Sequence, residues 1–199
     1  MNVSGRAVFS RCGHYRWWLE RVWEPQGSRL LFIGLNPSRA DHRHDDPTLR
    51  RLVAFAAGWG YGGLEVLNLF ARISPRPSAL ALAADPVGAA NPAWIRRRVR
   101  AAQRPRGPAA AAAPPPLIWL GWGNGGRRCG QDERVLELLA PHRSRLVCLG
   151  CTASGAPLHP LYRPAASLLR PYGASCGQSD AAVRAPWPAP PAATPSTCS

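Results

Sequence analysis

At 199 residues the chain has room for one ordinary domain with a sizeable core, and is too short for two comfortable ones. Hydrophobic residues make up 46% of it, which excludes a wholly disordered chain, and no apolar run approaches the roughly 18–20 residues of a membrane span. The net charge of +14 is carried without lysine, all 25 basic residues being arginine; that bias, with 22 prolines, is also what GC-rich coding produces, so the charge is compatible with nucleic acid without selecting it.

The N-terminal stretch MNVSGRAVFSRCGHYRWW sets charges and aromatics where a secretion signal needs continuous apolarity, so a cytoplasmic protein is expected. In HYRWWLERVW the aromatics Tyr15, Trp17, Trp18 and Trp23 recur at helical spacing. This predicts a helix packed on the core, with exposed rings stacking on bases as the other reading. Four apolar runs follow along the chain, Leu30–Gly34, Leu64–Phe70, Leu117–Gly121 and Leu146–Gly150. Short runs without alternation are what strands buried on both faces show, as in parallel sheets.

Helices are predicted between these runs. Asp46-Pro47 opens the first, with the aspartate as N-cap and proline at the first helical position; Leu49, Leu52, Val53 and Phe55–Ala56 face inward and Gly58 ends it. Asn91-Pro92 repeats the device before Ala93–Gln103, with Trp94, Ile95 and Val99 facing in, and a third helix covers Asp132–Leu139 before Pro141. Alternation of strand and helix predicts a doubly wound, three-layer α/β/α fold around a central four-stranded, mostly parallel sheet. Residues 1–170 are read as this one domain, 104–116 (RPRGPAAAAAPPP) as an Ala/Pro linker or surface loop, and 175–199 as a disordered Pro/Ala-rich tail.

In open α/β sheets ligands bind beyond the carboxyl ends of the strands. Here those ends are Asn36-Pro37-Ser38, Asn68, Trp122-Gly123-Asn124, and the loop holding His159-Pro160. The loop Gly34-Leu35-Asn36-Pro37-Ser38 lacks the glycine spacing of a dinucleotide fingerprint or a Walker loop, so no such cofactor is expected. Its carboxamide either ties its own turn or holds a water or a base edge. Asn68 interrupts the apolar LEVLNLF; a buried carboxamide without partners costs about 1–3 kcal/mol, so it either reads a ligand edge or caps a neighbouring strand. His159, fixed beside proline, suits an imidazole near developing negative charge, unless it is an ordinary surface histidine. His42 and His44 among Asp41, Asp45 and Asp46 read as a solvated loop whose aspartates cap the next helix, not as a metal cluster. Of the six cysteines, Cys148 and Cys151 form a CxxC with no second ligand pair. Free thiols are expected, with Cys148 as a small buried hydrophobe and no metal.

Taken in order, FSRCGHYRWWL, LLFIGLNPSRAD, DDPTLRR, WGYGGLEVLNLFA, ADPVG, WGNGG and HPLY resemble the bacterial domain family of unknown function numbered sixteen forty-three, over residues 7–165. More distantly, the order GLNPS, VLNLF, LIWLGWGNGG and HPLY is similar to the uracil-DNA glycosylase superfamily. That resemblance implies a glycosylase-like fold with DNA or a nucleotide as partner and no cofactor. It implies that Asn36 positions the attacking water, Asn68 reads the base and His159 stabilises the departing base anion. With these go substrate contacts from Gly34, Leu35, Pro37, Ser38, Trp122 and Asn124, and phosphate contacts from Arg39, Arg127 and Arg163. Ser38 and Leu161-Tyr162-Arg163 depart from the glycosylase pattern, and no aspartate stands at position 36. Three functions stay open: a base-binding site with N-glycosidic hydrolysis, a non-catalytic nucleotide or nucleic-acid module, and a small-molecule hydrolase or transferase on the same fold. A monomer is the default.

Overall fold

The four apolar runs become the parallel centre of a larger sheet. In the computed structural model, residues 3–102, 114–173 and 176 are described, with the backbone alone at 77–79. The strands are β1 (Ser4–Phe9), β2 (Arg16–Val22), β3 (Arg29–Gly34), β4 (Gly63–Asn68), β5 (Ile118–Leu120), β6 (Leu146–Cys148) and β7 (Arg170–Pro171). They form one seven-stranded sheet in the order β1-β2-β4-β3-β5-β6-β7. The neighbours β4, β3, β5 and β6 pair in parallel, while β1, β2 and β7 add antiparallel edges. The sheet is therefore wider than the four strands expected. The extra strands lie in segments whose polar residues hide a strand pattern.

Alternate side chains of the parallel strands enter two cores. Leu30, Phe32, Leu64, Val66 and Trp119 meet Leu49, Leu52 and Phe55 of helix α1 (Pro47–Gly58) on one face. Leu31, Ile33, Leu67, Ile118 and Leu120 meet helix α2 (Asn91–Ala101) through Ile95 and Val99, and helix α3 (Gln131–Leu139) through Val135 and Leu139, on the other. Burial on both faces explains why these strands are apolar without alternation. Glu65 of β4 is the exception: fully buried, it accepts from Trp18 Nε1 at 3.0 Å and is ion-paired with Arg98 of α2 at 2.6 Å. A carboxylate held this way is neither unpaired nor short of donors, which is the condition for burying it.

Three local expectations need correction. HYRWWLERVW is not helical; Arg16–Val22 is strand β2, hydrogen-bonded between β1 and β4. The aromatic spacing coincided with a helical period, but consecutive residues Trp18 and Leu19 go to opposite cores, as a pleated strand requires. Asn91 does not cap α2: it is the first helical residue, and its Nδ2 donates to the carbonyls of Asn68 (3.0 Å) and Leu69 (2.9 Å), closing the end of β4. The cysteines are not all free, because Cys151 is bonded to Cys176. The fold brings the exit of β6 and the chain after β7 within a Cα–Cα distance of 5.5 Å, a proximity that spacing along the chain cannot show. Cys12 and Cys129 are exposed free thiols, and Cys148 is buried.

The first helix behaves as its residues predict. Asp46 accepts from Leu49 N–H at 2.8 Å, Pro47 follows at the first position, and the helix closes at Gly58. The segment 103–113, most of the predicted linker, and the tail apart from Cys176 lie outside the described residues. No helix among the described residues is long and apolar enough to cross a membrane.

Candidate functional site

Three strand ends meet at one place. β3 stops at Gly34 and runs into Leu35–Ser38, and its register partner Gly34↔Asn68 sets the end of β4 beside it. Because β2 runs antiparallel to β4, its first residue, Arg16, lies at that same end. Backbone hydrogen bonds lock the exits together: Leu69 N–H to Gly34 O (2.9 Å), Phe70 N–H to Leu35 O (3.0 Å), Ser74 N–H to Pro37 O (2.9 Å) and Arg16 N–H to Ala71 O (3.0 Å). The start of α1 and the loop at His159 close the sides. The result is a cavity of about 410 Å³, with walls from Phe32, Leu49, Leu52 and Val66. Its polar groups include those of Arg16, Asn36, Ser38, Asp46, Asn68 and His159. An apolar cleft with a few convergent polar groups is the ordinary form of a small-molecule site.

The hydrogen bonds assign a direction to each polar group. Asn36 Nδ2 donates to Pro37 O at 2.9 Å and to Ser74 O at 2.8 Å, so both amide hydrogens are spent on backbone. Its Oδ1 is left as an acceptor. Asn36 thus ties its own turn and, by doing so, has its carbonyl end oriented. Asn68 is the reverse case: its Oδ1 accepts from Arg16 Nη2 at 3.3 Å, and Nδ2 is the donor end, beside Gly34. A Cβ on Gly34 would stand 3.2 Å from that nitrogen and 2.8 Å from the Phe32 ring, so only glycine leaves both groups in place.

Arg16 is 5% exposed. Its Nη1 donates to Ala40 O at 2.9 Å, its Nε has no hydrogen-bond partner, and among the described residues no carboxylate lies in ion-pair contact with it. Burial pulls its guanidinium down to about 10, opposed by the charge of Asp46, so it stays a cation at neutral pH. Asp46 caps α1 with one oxygen and also lines the cavity, where its charge acts on both Arg16 and His159. His159 Nδ1 accepts from Leu161 N–H at 3.3 Å, which places the proton of the neutral ring on Nε2. Burial lowers its pKa, so the ring is neutral at pH 7 and presents an N–H donor. Tyr162, 85% exposed, stands at the mouth with its ring centroid 6.4 Å from that of His159.

The chain matches one family over residues 16–161. It belongs to the DUF1643 proteins, described as proteins of unknown function. The match begins at Arg16 and ends at Leu161, so these six polar residues lie within the DUF1643 region and Tyr162, also in the lining, follows it by one residue. Neither the curated proteins nor the solved structures compared with the chain give a match.

Of the residues singled out from sequence, Gly34, Leu35, Asn36, Ser38, Asn68 and His159 line this cavity of the DUF1643 domain. The others lie elsewhere. Pro37 is buried behind the turn with its carbonyl taken by Asn36 and Ser74. Trp122 is a core residue. Asn124 is exposed and accepts from Thr152 and Ser154 at 2.7 and 2.8 Å. Arg39 is exposed outside the lining, Arg127 donates to Ser154 O, and the carbonyl of Arg163 accepts from Arg51. Two charged residues of the cavity, Arg16 and Asp46, were not foreseen as such. Arg16 was hidden among the aromatics of HYRWW, and Asp46 was read only as a helix cap. An arginine inside an apolar run was the available signal for the first, and nothing in the sequence carried the second.

Proposed function

We propose that this cavity binds a nucleobase, carried by a nucleotide or by nucleic acid. The observation that carries the reading is the fixed alternation of donors and acceptors on an aromatic and aliphatic wall. Asn68 Nδ2 and His159 Nε2–H are donors, Asn36 Oδ1 is an acceptor, and the buried Arg16 guanidinium holds Asn68 in the required sense. A planar heterocycle offers carbonyl acceptors and ring N–H donors along one edge and an apolar face to Phe32, which matches this set. The excess of arginine is compatible with a ligand that also carries phosphate.

A second reading, hydrolysis of the N-glycosidic bond, is favoured by two observations. His159 is a neutral N–H donor, the form that stabilises a departing base anion without protonating it beforehand. Asp46 supplies a carboxylate in the same cavity that can orient a water together with Asn36 Oδ1. In that step the water oxygen bonds to the anomeric carbon and the bond to the base nitrogen breaks. The electron pair leaves with the base, held by His159, and the water's proton ends on the released base. The small-molecule hydrolase or transferase reading has no such observation behind it.

Two assays separate these readings. Tryptophan fluorescence titrated with nucleosides, nucleotides and short oligonucleotides measures binding; saturation that is lost in Asn68→Asp supports the base-binding site, and no response to any of them removes it. Oligonucleotides containing uracil or mismatches, treated with alkali after incubation, report hydrolysis. Scission above an Asn36→Ala control supports it, and binding without scission leaves the non-catalytic module.

A further inference from the structure

Three sulfurs outside the cavity stand together. Cys148 is the last residue of β6, Cys151 follows the turn at Gly150, and Cys176 comes after β7. Cys151 and Cys176 share a disulfide, and Cys148 Sγ lies 3.2 Å from Cys176 Sγ. All three sulfur atoms fall within 4.8 Å of one another. Around a tetrahedral ion with metal–sulfur bonds near 2.3 Å, neighbouring thiolates stand about 3.8 Å apart, a spacing inside the 4.8 Å within which these three sulfurs already lie. We propose that the reduced trio Cys148, Cys151 and Cys176 is a three-thiolate site for a thiophilic divalent cation such as zinc, with water in the fourth position.

The chemistry balances with one external reductant. A thiol or phosphine reductant supplies two electrons and opens the Cys151–Cys176 bond to two thiols. The cation then displaces the three thiol protons and forms three metal–sulfur bonds, leaving the centre with one net negative charge. Arg170, the strand partner of Cys148, brings a positive charge to that position. Bonding and ligation are mutually exclusive for the same sulfurs, so the disulfide and the metal site are two redox states of one cluster.

The position gives the site a structural consequence. Cys151 bridges to Pro157, Thr152 N–H donates to Ala156 O at 2.8 Å and Leu158 N–H to Gly150 O at 2.9 Å. The segment 150–158 is therefore a closed loop whose base is Cys151 and whose exit is His159. A cation on the trio pins that base to β6 and to residue 176 and so stiffens the loop that presents His159.

Cobalt(II) tests this directly. The full chain carrying C12S, C129S and C198S is reduced with a phosphine, desalted without oxygen and titrated with cobalt. The expected result is one equivalent bound, with a sulfur-to-cobalt charge-transfer band in the near ultraviolet and intense visible bands of tetrahedral cobalt, both displaced by zinc. Each of C148S, C151S and C176S, added singly, loses these bands. Circular dichroism of C176S, whose side chain is not part of the packed core, shows that the loss is not unfolding, and zinc raises the Tm of the reduced parent but not of C176S. No charge-transfer band in the reduced parent, or a band that persists in all three variants, overturns the site. So does a reduced protein that ignores cobalt and instead forms a Cys148–Cys176 bond on partial oxidation, which would make the trio a thiol–disulfide relay.

Discussion

Replacing Asn68 with aspartate changes the floor of the cavity with almost no change of shape. The acceptor oxygen facing Arg16 Nη2 at 3.3 Å is kept, while the donor end becomes a second oxygen. At that distance the new carboxylate and the guanidinium attract by about 5 kcal/mol at an effective dielectric of 20. Taking the carboxylate out of water costs several kcal/mol, so the net effect on folding is within about 1 kcal/mol of zero. Binding behaves differently. A ligand carbonyl that met an N–H now meets an anion, a loss of about 1–3 kcal/mol, or roughly five- to 150-fold in Kd. Thermal denaturation and tryptophan-fluorescence titration of the same preparations read the two quantities separately. Affinity within threefold of wild type at unchanged Tm would refute the assignment of Nδ2 as a ligand donor. A fall in Tm as large as that of a core truncation would refute the pairing of Asn68 with Arg16.

Three further outcomes are expected. Burial holds the His159 pKa below its ordinary 6.5, so above that pH its contribution to stability is complete, and below it the unfolded chain takes up the proton first. Wild type therefore loses more Tm than His159→Asn between pH 7.5 and 5.5, and equal losses would contradict the buried neutral ring. Asp46→Ala removes the α1 cap and lowers stability by about 0.5–2 kcal/mol, whereas Asp46→Asn keeps the cap and removes only the charge. Since that charge raises the His159 pKa, an NMR titration of Asp46→Asn should show His159 titrating lower still. Gly34→Ala drives a methyl to within 2.8 Å of the Phe32 ring and costs about 1–3 kcal/mol in urea denaturation while weakening ligand binding; a neutral substitution would mean that the ring and Asn68 can move aside.

Much of this architecture was legible because its causes are local. A strand buried on both faces must be apolar throughout, so β3, β4, β5 and β6 announce themselves as Leu-, Ile- and Val-rich runs. Asp46-Pro47 and Gly58 bracket α1 because capping acts within one turn of the chain. The expectation that Gly34–Ser38, Asn68 and His159 stand near one another rests on the same kind of reasoning, since strands that run parallel must end on the same side. What sequence-local patterns could not decide is whatever depends on partners distant along the chain. The strand character of HYRWW arises from its pairing with β1 and β4, which overrides a coincidental helical spacing. The position of Arg16 against Asn68 follows from the antiparallel sense of that pairing, and the second role of Asp46 follows from where α1 begins relative to the cavity. The meeting of Cys176 with Cys148 and Cys151 likewise waits on β7 folding back against β6. Short-range periodicity and capping are written in neighbouring residues; hydrogen-bond direction, burial of charge and the gathering of sulfurs exist only once the chain has closed on itself.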